Sequence, residues 1–253
     1  MSRVHPPYGL LRAVTPTASV LLEENPGPMT LDGTNTWLLR APGAGAGVVV
    51  DPGQEDVEHL TRVADAGPVA LILLTHRHIH HVEGAPWLAD RTGAPVRAFD
   101  PALCRDAEPL TDAETVIAAG LQIQVLHTPG HTDDSVCLKL DDAVLTGDSI
   151  VGRGTTMVTA LGDYLATLRL LGTITGAMVL PGHGDEQPDL AVVANEYLAH
   201  REERLDQVRQ ALAQLGAGAS AREIVELVYA DVDERLWGPA ERSVRAQLEY
   251  LAP

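Results

Sequence analysis

Short apolar runs that each end in a polar turn recur along the first three quarters of the chain. Leu71-Ile-Leu-Leu74 gives way to Thr75 and then to four histidines within six residues, His76, His78, His80 and His81. Leu121, Ile123 and Val125 alternate with polar residues ahead of Thr128-Pro-Gly-His-Thr132. Ala143–Leu145 leads to Thr146-Gly-Asp148, and Ala177–Leu180 leads to Pro181-Gly-His-Gly184. Period-two alternation and short apolar runs bounded by turn residues predict strands. The same signals predict strands over 17–22, 35–39, 48–51 and 69–74, and at Val136, Leu138 and Leu140. Helices are predicted over 54–66, over 82–92 with a stop at Gly93, and around 162–172.

Two strand-rich halves, each with its own helices, predict an α/β fold of four layers (αββα), paired sheets inside and helices outside. Strand ends in facing sheets then gather distant turns at one edge. From about Asp189 the pattern turns purely helical, with Leu190, Val193, Tyr197, Leu205, Val208, Leu212 and Leu215 at three- and four-residue steps. Gly216 and Gly218 stop that helix. Ser220-Ala-Arg-Glu223 opens another as a capping box, and Pro239 suits the first turn of a third. The division expected is a catalytic domain over 1–187 and a helical segment over 188–253 that packs on it and narrows its cleft.

Composition bounds the function. At 253 residues with a 45% hydrophobic fraction, the chain has the means to bury a sizeable core. A formal net charge of −17, with Lys139 the sole lysine, argues against a nucleic-acid partner, because phosphate binding rests on clustered Lys and Arg. The tail is itself acidic, with seven Arg against twelve Asp and Glu over 188–253, a net of −5. Cys104 and Cys137 show no metal-motif spacing and no disulfide framework. No apolar run approaches the ~18 residues of a membrane span, and the first residues carry no signal-peptide core, so a cytoplasmic protein with a small-molecule substrate is expected. The oligomeric state is left open.

The chemistry lies in the turns. Imidazole plus carboxylate is the ligand set of a hydrolytic zinc or iron site. Six histidines (His76, His78, His80, His81, His131 and His183) and Asp148 exceed what one tetrahedral ion needs, so two divalent ions are expected, zinc first, with iron or manganese possible. Asp51, at a strand end before Pro52-Gly53, either accepts a hydrogen bond from a ligand imidazole or serves ordinary turn chemistry. Arg201 lies on the apolar stripe of its helix. It either reaches an anionic substrate or pairs with an acid such as Glu202 or Asp185. Tyr164 is a candidate to line the cleft.

These residues resemble the metallo-β-lactamase superfamily, whose pattern is Thr-His-x-His-x-Asp-His followed by Gly-His, Gly-Asp and Gly-His turns in that order. The match runs over roughly 17–185 and implies the family's αββα sandwich. It further implies that His76, His78 and His131 hold one ion, that His81 and His183 hold the other with position 80 completing it, and that Asp148 bridges them. A metal-bridging hydroxide would then attack an ester or thioester-type substrate, with Asp148 and His80 beside the chemistry. The departure is His80, where the family has Asp. An imidazole there is either a nitrogen ligand, with one negative charge fewer beside the second ion, or a bystander. The Asn25–Thr36 segment and His200-Arg201-x-x-Arg204 resemble the branch with a short winged-helix-like tail, which includes an endoribonuclease and polyketide thioesterases. The chain stops after the third tail helix, so the wing is expected to be absent. The rival readings are a phosphodiesterase on single-stranded RNA and a non-catalytic metal binder whose second site is weakened.

Overall fold

The computed structural model describes residues 7–216, 218–228, 230 and 237–252. Two mixed sheets face each other. The first has six strands in sequence order, β1 (Arg12–Ala13), β2 (Ala18–Leu22), β3 (Asn35–Leu39), β4 (Gly47–Val50), β5 (Val69–Leu73) and β6 (Val96–Arg97). The second has five, in the order β11 (Met178–Pro181), β10 (Ala143–Gly147), β9 (Val136–Lys139), β8 (Leu121–His127), β7 (Thr115–Ala118).

Period-two alternation distributes each strand between two cores. In β4, Val48 and Val50 enter the core between the sheets, while Val49 joins the outer core with Leu60, Val63 and Leu88. Those three belong to α1 (Val57–Asp65) and α3 (Ala85–Thr92), which cover the first sheet. In β10, Ala143 and Leu145 face inward, and Val144 faces Tyr164, Leu168 and Leu190. These belong to α4 (Leu161–Leu171) and α5 (Leu190–Leu215), which cover the second sheet. The order helix, sheet, sheet, helix is therefore fixed by which side of each strand is apolar.

The predicted helix over 82–92 is two helices. α2 (Ile79–Val82) carries His80 and His81, and Gly84 separates it from α3. β1 and β6 are two-residue strands, too short to show a period, and β7 is a four-residue edge strand with Ile117 exposed.

α5 is 26 residues long, about 39 Å at 1.5 Å per residue. Leu190 and Ala194 pack on the second sheet, while Val208 and Ala211 join a separate tail core with Ile224, Val225 and Val244. The last three come from α6 (Ala221–Val228) and α7 (Trp237–Leu251). α6 opens with the expected capping box: the Glu223 carboxylate accepts from Ser220 N (2.8 Å) and Oγ (2.7 Å), and Ser220 Oγ accepts from Glu223 N (3.3 Å). Among the described residues the tail contains helices and no strand. Among them, too, no helix is long and apolar enough to cross a membrane.

Candidate metal centre

Four strand-end turns converge at one edge of the sandwich. The His cluster follows β5, the His131 turn follows β8, Asp148 follows β10, and His183 follows β11. Two groups of donor atoms form there. His76, His78, His131 and Asp148 make the first, His80, His81, His183 and Asp148 the second, with donors inside each group within 4.8 Å of one another. Asp148 faces both. Its Oδ2 lies 3.5 Å from His131 Nε2 and 3.9 Å from His76 Nε2, and its Oδ1 lies 3.4 Å from His183 Nε2 and 3.5 Å from His81 Nε2.

The spacing fits metal ions. Zinc–nitrogen bonds of 2.0–2.1 Å at tetrahedral angles put ligand atoms about 3.3 Å apart. Here His78 Nδ1 lies 3.0 Å from both His76 Nε2 and His131 Nε2, and His81 Nε2 lies 3.2 Å from His183 Nε2. The tautomers are fixed from behind, as the nitrogen facing outward from each group donates to an acceptor. His76 Nδ1 meets Thr75 Oγ1 at 3.0 Å, His81 Nδ1 meets Asp51 Oδ2 at 2.9 Å, His131 Nδ1 meets the Met157 carbonyl at 2.7 Å, and His183 Nδ1 meets the Gly33 carbonyl at 3.0 Å. Each of the four then presents a bare Nε2 inward, which is what a metal requires. His80 Nε2 and Asp148 Oδ1 are buried and have no hydrogen-bond partner. Such orphaned atoms on a converging donor set fit an ion between them.

Electrostatics favour neutral His76 and His80 beside an ionised Asp148, and a proton on His81. Burial, with His81 next, holds His76 well below its ordinary value. Burial, with His81 and His183 next, takes His80 down to about 3. Burial raises the Asp148 carboxyl, but His183 and His81 outweigh it and hold it well below the usual carboxylate range. Burial lowers His81, but Asp148 and Asp51 on its two sides outweigh that and push it up to about 10. An ion at Nε2 takes the place of that proton.

Asp51 is only 2% exposed and ties two strand ends together. Its Oδ1 accepts from Thr75 N (2.8 Å), and its Oδ2 accepts from Thr75 Oγ1 (2.6 Å) as well as facing His81. Gly182 is required by closeness, since a Cβ there would stand 2.8 Å from His81 Cε1 and 2.9 Å from Asp148 Oδ1.

Two expectations need correction. Tyr164 does not line the cleft. It is fully buried among Cys137, Val144 and Leu168, and its hydroxyl donates to the Ser149 carbonyl at 2.8 Å, so its ring is core and its polar tip is satisfied there. Arg201 does not pair with Glu202, which faces Arg169 instead. Its Nη2 donates to the Thr156 carbonyl at 2.6 Å, and its guanidinium stands 5.4 Å from the Tyr164 ring centre.

A network around the Asn25–Thr36 segment went unread in the sequence. Asn25 Oδ1 accepts from Thr34 N (2.7 Å), and Thr34 Oγ1 donates to the His80 carbonyl (3.1 Å). Asn35 Nδ2 donates to the Pro181 and Gly184 carbonyls on either side of His183 (3.0 and 2.8 Å). The polar positions 23, 25, 34 and 35 beside a Pro- and Gly-rich turn were the available signal.

The ion site opens on a cavity of about 150 Å³ bordered by Met29, Leu31, His131, Asp148, Thr156 and Met157. Another, of about 300 Å³ against Arg40, lies at the opposite ends of β4 and β5 and touches none of the donors.

Comparison with known proteins agrees with this geometry. Residues 29–183 match the metallo-beta-lactamase superfamily model, and residues 220–252 match the beta-lactamase associated winged helix domain. The chain is 32% identical to a beta-lactamase-like protein 2 homolog of Drosophila melanogaster, over 96% of this chain and 91% of that protein. It is 32% identical to the lactamase-like protein adaB of Aspergillus niger, over 89% of this chain and 74% of that one. In fold it is similar to a beta-lactamase domain protein from Burkholderia ambifaria, with a TM-score of 0.80, 24% identity, and 99% and 90% of the two chains covered. The strand-end donors, the sandwich that gathers them and these matches together place the chain in the metallo-beta-lactamase superfamily, with a His/Asp cluster of the binuclear type and a beta-lactamase-associated winged-helix segment at its C-terminal side.

Proposed function

We propose that this protein is a metal-dependent hydrolase acting on an ester or thioester of a small molecule. The observation that carries the reading is the pair of donor groups sharing Asp148, one oxygen toward each. Two divalent ions, held by His76, His78, His131 and Asp148 and by His80, His81, His183 and Asp148, would supply an activated water nucleophile and polarise the bond under attack. The protein's own part is positioning. Asp51, Thr75, Gly33 and Met157 hold four imidazoles in one tautomer and one orientation. His80, neutral and with Nε2 free, completes the second group as a nitrogen donor. Met29, Leu31 and Met157 supply an apolar border to the pocket.

Charge and size support an ester or thioester over a phosphodiester. A cavity of about 150 Å³ suits a compact acyl group. A chain of net charge −17 repels a polyanion such as RNA. Turnover measured on a thioester panel and on single-stranded RNA, before and after chelation, tests this. Metal-dependent thioester cleavage with RNA left intact is expected. RNA cleavage without thioester cleavage would replace the reading with a phosphodiesterase, and activity that survives complete metal removal would end it.

A further inference from the structure

A second cavity, of about 260 Å³, borders the same Thr155–Met157 segment as the metal pocket and is closed by the helical tail. Arg201 of α5 and Arg242, Ser243 and Gln247 of α7 line it, and among the described residues no acidic one does. In a chain of net charge −17, two cations without an acid mark a local reversal of sign.

The polar groups in this wall are left short of partners. Arg201 is 7% exposed, forms no ion pair among the described residues, and its Nε has no hydrogen-bond partner. A buried guanidinium without a counter-charge is disfavoured relative to a paired one. Gln247 is 2% exposed and its Oε1 accepts nothing. Leaving a buried amide oxygen unpaired is unfavourable. Arg242 is exposed on α7 and forms no ion pair among the described residues, whereas its neighbour Arg245 is held by Glu241. A site with two cationic side chains that have no acid beside them, an unpartnered Arg201 Nε and one spare buried acceptor asks for an anion that also carries a donor.

We propose that this cavity binds the anionic end of the substrate, a carboxylate or phosphate with a hydroxyl or amide N–H beside it. Arg242 and Arg201 meet the anion, and Gln247 Oε1 accepts from the neighbouring donor. The assignment rests on the hydrolase reading, since it takes the scissile bond to lie on the metal side of Thr155–Met157. That segment links the two sites. Arg201 holds the Thr156 carbonyl, Thr156 Oγ1 lies 3.1 Å from His131 Nδ1, and the Met157 carbonyl takes that nitrogen at 2.7 Å. A ligand engaging Arg201 therefore bears on the backbone that orients His131.

The test joins binding to kinetics on the metal-loaded full chain. Calorimetry uses 3-hydroxybutyrate, glycerol 1-phosphate and neutral butyramide as probes. One of the two anions should bind, which tells carboxylate from phosphate, and butyramide should not. Arg242→Met, on an exposed helix face, should weaken that binding about tenfold, the value of one charge-assisted contact. Gln247→Leu should weaken it less, since it removes one neutral acceptor and no charge. Kinetics compare acetyl thioesters whose leaving thiol carries a carboxylate or its methyl ester. Wild type should show a KM about tenfold lower for the anion, and Arg242→Met should erase most of that preference. Equal anion binding in wild type and Arg242→Met, or an unchanged KM preference, overturns the proposal. If neither thioester is turned over but the probe still loses its binding in Arg242→Met, the hydrolase reading fails and the anion site stands.

Discussion

Replacing Asp51 with Asn isolates how far the second metal group depends on what lies behind its histidines. Asp51 sits at φ +51°, a backbone region that Asn tolerates, so the turn survives the change. The side chain does not keep its function. Three donors converge on the carboxylate, Thr75 N, Thr75 Oγ1 and His81 Nδ1. In either orientation the amide sets its NH2 against at least one of them. Set against His81, it drives the imidazole proton to Nε2, where a metal ion must bind. Loss of such a partner costs about 10–100-fold in metal affinity, or roughly 1.4–2.7 kcal/mol. His76 senses the change only through Thr75 Oγ1, and His131, which donates to Met157, does not sense it directly. Competition with a chromophoric chelator should therefore resolve a second-ion affinity lowered by about 10–100-fold and a first-ion affinity lowered by less than about tenfold. Saturating metal should restore turnover. Equal losses at both sites, or none at either, would refute the reasoning.

Restoring the family residue by His80→Asp should strengthen second-ion binding and raise turnover together, because a carboxylate adds a negative charge where an imidazole stands; metal titration with parallel rates checks this, and no change in either makes His80 a bystander. Gly130→Ala should destabilise the fold by about 3 kcal/mol, since Gly130 sits at φ +127° and a Cβ would stand 2.5 Å from the Tyr164 backbone; a melting temperature within a degree of wild type would contradict it. Glu23→Gln should flatten the pH dependence of stability. Burial pushes the Glu23 carboxyl up to about 7, so the wild type is favoured below about pH 4.5 and loses on the order of 2–3 kcal/mol as pH rises through 7, whereas the variant does not titrate; melts at pH 5 and pH 8 with the same slope for both proteins would refute it.

The strands that carry the site were legible because they are buried on one or both faces. Val48-Val-Val50 and Leu71–Leu74 read as short apolar runs, and Leu121, Ile123 and Val125 as alternation, so the turns that follow them could be placed at one sheet edge. β1, β6 and β7 were not legible, since two-residue and exposed edge strands leave no periodic trace. The donor residues announced themselves by type. Their supports did not, because Asn35 reaches Pro181 and His183 reaches Gly33 across about 150 positions, through backbone carbonyls that any residue supplies. Tyr164 differs from its sequence expectation for a related reason. Its position just after the metal turns is real, but it belongs to the face of α4 that packs on the second sheet, together with Leu168 and Leu171. Arg201 was placed on the apolar stripe of α5, but a backbone carbonyl at Thr156 cannot be seen from the sequence as its partner.

The central claim is that six histidines and Asp148 hold two ions side by side. Anomalous scattering from crystals of the metal-loaded protein, collected above and below the metal edge, tests it most directly. Two peaks about 3.5–4 Å apart are predicted, each within about 2.0–2.2 Å of its donors, one at His76, His78 and His131, the other at His80, His81 and His183, with Asp148 between them. A single peak at the first group, with His80 turned away from the second, would contradict the account.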